Sequence, residues 1–156
     1  MADAAFLAEL KHWIRFSQAD AVTTRDGLFS AASDNPALPY WLSSRAFNWV
    51  FTSDSEIART TKQLRGSAGV TVFVAAKADI AHWVDVGRAY QRSALKANAM
   101  NVRNAFFNQP VEIPAVRREF ASWLGVGAAR PDLVVRFGRC APVPQSLRRP
   151  VESVLV

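Results

Sequence analysis

Arg148 and Arg149 stand side by side, followed directly by Pro150, in the closing stretch VVRFGRCAPVPQSLRRPVESVLV (residues 134–156). Two adjacent guanidinium groups on a proline-stiffened turn form an anion clasp, because each planar fork meets phosphate oxygens two at a time. The plain alternative is a solvated basic tail. The β-branched run before the turn, which reaches Gly138, and the one after it, residues 151–156, read as strands that would fix the clasp in place.

Few other residues offer chemistry. Cys140 follows Arg139, whose charge favours a thiolate, but no histidine base stands near it in sequence and its presence is read as incidental. His12 and His82 each precede a tryptophan on an amphipathic segment. Neither has a cysteine or a second histidine at ligand spacing, so no metal site is expected. The chain contains no G-x-x-x-x-G-K-[ST], no G-x-G-x-x-G and no G-x-S-x-G. Its 13 carboxylates form no sequence-local pair suited to acid–base work. No catalytic side chain is therefore nominated, and any reaction would depend on a cofactor's reactive group.

Composition narrows the class of protein. A length of 156 residues suits one domain, 1–156, able to bury a core. Half the residues are apolar, which argues against disorder, and 5 Trp with 10 Phe is a heavy aromatic load for cores, interfaces or flat-ligand sites. The net charge of +6 favours anionic partners, yet the basic residues are scattered, with Arg117-Arg118 and Arg148-Arg149 the closest clusters. A nucleic-acid binder usually carries a denser stripe. The single cysteine excludes an internal disulfide. The N-terminal residues lack signal-peptide order and no run is long enough to span a membrane. The expectation is a cytoplasmic protein with no membrane association.

The elements that would position these residues can be read from spacing. Phe6, Leu10, Trp13 and Ile14 fall on one face of an opening helix. Residues 17–39 are polar, with Asn35-Pro36 as a turn and a short helix expected around residues 28–32. Residues 40–51 carry Trp41, Phe47, Trp49 and Phe51, an aromatic density that suggests an interface or a lid. Ser53 and Glu56 match a capping box that opens a helix running to about Arg65 and stopping at Gly66. Residues 68–76, AGVTVFVAA, read as a central strand buried on both faces. Asp79 caps the longest helix, to about Met100, with Asn101 as a left-handed stop. Its apolar stripe is Ile80, Trp83, Val84, Gly87, Ala94 and Leu95. Gly87 in mid-helix implies close approach of another backbone or a flat ligand. A strand at residues 102–107 leads to the Asn108-Gln109-Pro110 turn. Pro114 then opens a helix with Val116, Phe120, Trp123 and Leu124 on one face, ended by Gly125 and Gly127. Strands at 132–137 and 151–156 complete the chain.

The segments SAGVTVFV, HWVDVGRAYQRSALKANAMNV, NAFFNQPVE, PDLVVRFGR and SLRRPVESVLV resemble the C-terminal part of the FMN-dependent nitroreductase superfamily, most closely its Acg-type branch. The upstream stretch ELKHWIRFSQADAVTTRDGLFSAASDNPALP is similar to that branch as well. The resemblance implies an α+β, nitroreductase-like fold: a mixed β-sheet flanked by helices, with a long central helix and an extended C-terminal strand. It also implies FMN held between two such units. Arg148 and Arg149 match the basic pair that contacts the FMN phosphate, and Asn108, Gln109 and Pro110 match the backbone against the flavin ring, although the glycine expected in this turn is missing. The Arg-x-Ser-x-Arg helix and the Pro-Ser-Ser-x-Asn-like turn found at the front of other members do not appear in this sequence. The pocket would then be completed by a second chain, as a homodimer or with a partner half, or be degenerate.

The expected activity is oxidoreduction, with NAD(P)H as electron donor and a small nitroaromatic or quinone-like molecule as acceptor. A non-enzymatic half that binds or stores flavin, or only assembles with a partner, is the alternative. A basic nucleic-acid-binding module is the third reading, motivated by charge alone; it predicts retention on nucleic acid that weakens steeply with salt.

Overall fold

A computed structural model of the chain describes residues 4–33 and 53–155. The aromatic segment at 40–51 with Trp41, Phe47, Trp49 and Phe51, the Asn35-Pro36 turn and the side chains of Phe6 and Ser53 lie outside the described residues. So does the expected Ser53–Glu56 capping box. The fold class is α+β. The chain divides into two compact units, residues 1–57 with 141–156, and residues 58–140.

In the first unit, helix α1 (Ala4–Trp13) runs into a two-residue strand, β1 (Ile14–Arg15), followed by helix α2 (Gln18–Thr24), strand β2 (Leu28–Phe29) and a 3-10 turn at Ser30–Ser33. Strands β1 and β2 pair in parallel, Ile14 opposite Leu28. Ile14 and Phe16 form a small apolar core, against which Leu10 packs. Trp13, expected on the buried face of α1, is 40% exposed. Helix α2 lies in a stretch read as polar loop. The signal for it was present: the Ser17 hydroxyl accepts a hydrogen bond from the Asp20 N–H at 3.1 Å, an ordinary N-cap. Arg25, at φ 52°, closes the helix. The short helix expected at 28–32 is instead a strand and a 3-10 turn, because Leu28 and Phe29 find β1 as a partner.

Arg15 organises this unit. Its Nε donates to Thr24 Oγ1 at 2.9 Å, and its terminal nitrogen pairs with Asp26 Oδ1 at 2.6 Å. The Arg15 hydrogen bonds hold the Asp26 carboxyl below its ordinary value of 3.8, with help from Thr24. A carboxylate whose folded pKa lies below its unfolded one adds stability above the unfolded value, and that stability fades as pH falls through the lower folded value. Urea midpoints measured between pH 6 and pH 3 should therefore drop below about pH 4. In Asp26→Asn the drop should shrink, from a lower starting midpoint at pH 6.

The second unit is built on helix α3 (Ser53–Arg65, its last eight residues within the unit), strand β3 (Gly69–Ala75), helix α4 (Ile80–Ala99), strand β4 (Arg103–Phe106), the single helical turn α5 (Gln109–Glu112), helix α6 (Pro114–Leu124) and strand β5 (Arg130–Gly138). The three strands form an antiparallel sheet in the order β3-β5-β4. The sheet of this unit is thus antiparallel rather than mixed, and parallel pairing occurs only in the separate β1–β2 pair. Residues 68–76 do not supply the central strand. Strand β3 is an edge of this sheet, with Val70 43% exposed, while β5 is paired on both sides and carries the buried Pro131, Val134 and Val135. A β-branched run specifies a strand but not which neighbours it acquires.

Helix α4 matches its predicted limits. Asp79 Oδ1 accepts from the His82 N–H at 3.0 Å, and Asn101 takes the left-handed conformation at φ 56°. Its buried face differs from the expected one. Val86 is buried, and Tyr90 stacks edge-on against Phe73 at 6.0 Å, lies 4.8 Å from the Phe106 ring and donates its hydroxyl to Asn104 Oδ1 at 3.2 Å. Ile80, Trp83, Val84 and Leu95 are exposed instead. The aromatic ring with a hydroxyl that can reach a partner outweighed the wider aliphatic stripe. Among the described residues Gly87 meets no neighbouring atoms where a Cβ would stand, so no close approach explains it there. Gly87→Ala is expected to raise stability by about 0.5–1 kcal/mol, read as a higher Tm. An unchanged or lower Tm would indicate that an associated surface approaches this position.

The C-terminal residues do not form the expected strand. Val151–Ser153 is a 3-10 turn, in which Ser153 donates its hydroxyl to the Pro150 carbonyl at 2.8 Å and the Val154 N–H reaches the Val151 carbonyl at 3.0 Å. The valines lack a strand to pair with among the described residues, so their backbone groups are satisfied locally. Among the described residues no helix is long and apolar enough to cross a membrane.

Candidate functional site

The Arg148-Arg149 doublet belongs to the first unit, and both side chains are exposed. The segment leading to it is fastened to β2 through Ser146, whose hydroxyl accepts a hydrogen bond from the Phe29 N–H at 2.9 Å. Arg148 donates only to the carbonyl of its neighbour Leu147, at 3.4 Å, a weak contact. Arg149 makes no hydrogen bond or ion pair among the described residues, although its charge contributes to lowering the Asp26 pKa. Asp26 itself is committed to Arg15. Both guanidinium groups therefore keep their donors available to an anion.

Asn108, Gln109 and Pro110 belong to the second unit. They form not an open turn but the start of α5, where Pro110 fits the first helical turn. The Asn108 side-chain oxygen accepts from the Val134 N–H at 3.0 Å, while its own carbonyl accepts from Val111 at 2.8 Å. Asn108 thus braces the middle of β5. Gln109 is exposed and Pro110 half-buried. The two parts of the expected flavin contact fall in different compact units.

Elsewhere, Asp79 holds His82 through both the backbone N–H and the ring Nδ1, at 2.6 Å, and these bonds keep its carboxyl below the usual range. Cys140 is an exposed free thiol. Among the described residues no group of three or more His, Cys, Asp and Glu is placed to hold a metal ion.

Sequence reasoning noted Arg117-Arg118 only as a charge cluster. The second unit places both on the wall of an open cleft of about 780 Å³, together with Arg130, Pro114, Ser122 and the loop through Gly125 and Gly127. No spacing rule pointed to this, because Arg130 lies on β5 and Arg117 and Arg118 lie on α6. No family model, curated protein or solved structure matches the chain.

Proposed function

We propose that the chain is one half of an FMN-binding oxidoreductase of nitroreductase type, acting as a homodimer or beside a partner half. The observation that carries this reading is the Arg148-Arg149 doublet, exposed and without an ion pair among the described residues, on a segment fastened by Ser146. Unpaired donors of this kind fit a phosphate monoester, to which two guanidinium groups make charge-assisted bonds. Bound FMN would supply hydride transfer from NAD(P)H to a nitroaromatic or quinone-like acceptor. The chain's own residues bind: Arg148 and Arg149 neutralise the phosphate of the cofactor.

A non-enzymatic half that binds or stores flavin is the second reading. It is favoured by the use of Asn108 in bracing β5, which leaves fewer polar groups for a ring.

Colour and mass test both readings together. Purified protein with flavin absorbance, or with uptake of added FMN, supports cofactor binding. Bleaching by NAD(P)H then selects the enzyme, and its absence selects the store. Colourless protein that takes up no FMN at any measured oligomeric state removes both.

A further inference from the structure

The cleft in the second unit concentrates positive charge without an acidic counterweight of equal size. Arg117 donates to the Val111 carbonyl and makes no ion pair among the described residues. Its Nε is out of solvent and donates to no acceptor, so part of its hydrogen-bonding capacity is unused. Arg118, one residue on, is exposed and has no ion pair among the described residues. Arg130 is in ionic contact with Asp132 at 2.6 Å, and its guanidinium lies 5.2 Å from the centre of the Trp83 ring, which holds it in place. Asp79, the neighbour of the lining residue Ala78, is engaged by His82. Two guanidinium charges are thus left uncompensated in one concave site.

The loop adds neutral donors. Gly125 and Gly127 take left-handed φ values of 67° and 61°, a conformation in which side chains are strained, and a Cβ at either would meet nothing within 4 Å among the described residues. Both glycines and Ala128 line the cleft. Among the described residues the N–H groups of Gly127 and Ala128 donate to no backbone acceptor. Successive free amides around a left-handed residue, beside arginine side chains, are a recurrent way to hold a phosphate. The volume falls within the range of small-molecule sites, roughly 300–1,000 Å³.

We propose that this cleft binds the phosphate group of a small molecule of mononucleotide size. Arg117 and Arg118 carry the charge, and the amides of Gly127 and Ala128 complete the contact. The assignment is independent of the flavin reading, because it uses none of Arg148, Arg149 or the Asn108-Gln109-Pro110 turn.

The test is calorimetric titration of the full chain carrying Arg148→Ala/Arg149→Ala, which removes the C-terminal doublet as a second phosphate contact, with inorganic pyrophosphate and with AMP at low salt. Saturable one-to-one binding is expected. Arg118→Ala, at an exposed position, should weaken it about tenfold, the loss of one charge-assisted contact. Ala128→Glu, also exposed, places a carboxylate among the donors and should remove measurable binding while leaving the circular dichroism spectrum unchanged. Arg88→Ala in the same background, elsewhere on the surface, should leave AMP binding as it was. Absence of saturable heat would overturn the proposal, as would an equal loss in Arg88→Ala, which would mean diffuse attraction to a basic surface. Tighter binding of single-stranded DNA with the same sensitivity to Arg118→Ala would also overturn it, by making the cleft a nucleic-acid contact.

Discussion

Replacing both Arg148 and Arg149 with alanine is expected to weaken FMN uptake about a hundredfold, two charge-assisted contacts of about 1.5 kcal/mol each. The side chains are exposed and neither supports the core, so this loss should come without a change in Tm. Arg148→Lys/Arg149→Lys separates geometry from charge. Lysine keeps the positive charge but loses the bidentate fork, so it should recover only part of the affinity. Uptake that is identical in wild type and the alanine pair would mean that the tail is not the phosphate contact. The same pair leaves AMP binding in the arginine cleft intact, so the two anion sites can fail separately.

Val134→Asp is expected to unfold the second unit. Val134 is 1% exposed in the only strand of the three-stranded sheet with neighbours on both sides. Its N–H is received by Asn108 Oδ1 and its carbonyl accepts the Phe107 N–H at 2.8 Å. A carboxylate there would be buried without a partner, at a cost of roughly 3–5 kcal/mol, comparable to the whole stability of a marginal domain. Loss of amide protection in β3, β4 and β5 by hydrogen exchange is the measurement that checks it. Retained protection would show that the site admits water and that β5 is not the structural centre. Asn108→Ala should act in the same direction but more weakly, about 1–2 kcal/mol, since it leaves one buried N–H unsatisfied.

The local signals of the sequence translated well into local structure. The Asp79 cap, the Asn101 stop, Pro114 in a first turn and Gly125 after α6 all stand where capping chemistry puts them. Each depends on hydrogen bonds reaching three or four residues along the chain, so a single sequence contains all the information needed. Ser17 ahead of α2 and Pro110 in the first turn of α5 are local signals of the same kind.

Errors arose where distant residues compete. The run at 68–76 is richer in β-branched residues than the run at 132–137, yet the pairing of β4 with β5 decides that the later strand lies between the other two. On α4 the aliphatic stripe looked like the core face, yet Tyr90 is the residue that finds Phe73, Phe106 and Asn104. The terminal valines had strand propensity and no strand beside them among the described residues. Of the candidate site, the doublet's availability could be read from its neighbours in sequence, whereas the engagement of Asn108 by Val134, across 26 positions, could not.

By itself, the sequence determined the limits of the long helix, the basic character and the guanidinium pair near the C-terminus. Those properties follow from composition and from interactions within one helical turn. Tertiary structure alone decided which strand is central, which face of α4 is buried and that Arg117, Arg118 and Arg130 share one cleft. The physical reason is that burial and charge clustering are properties of a surface, and two residues on different elements become neighbours only when packing brings those elements together.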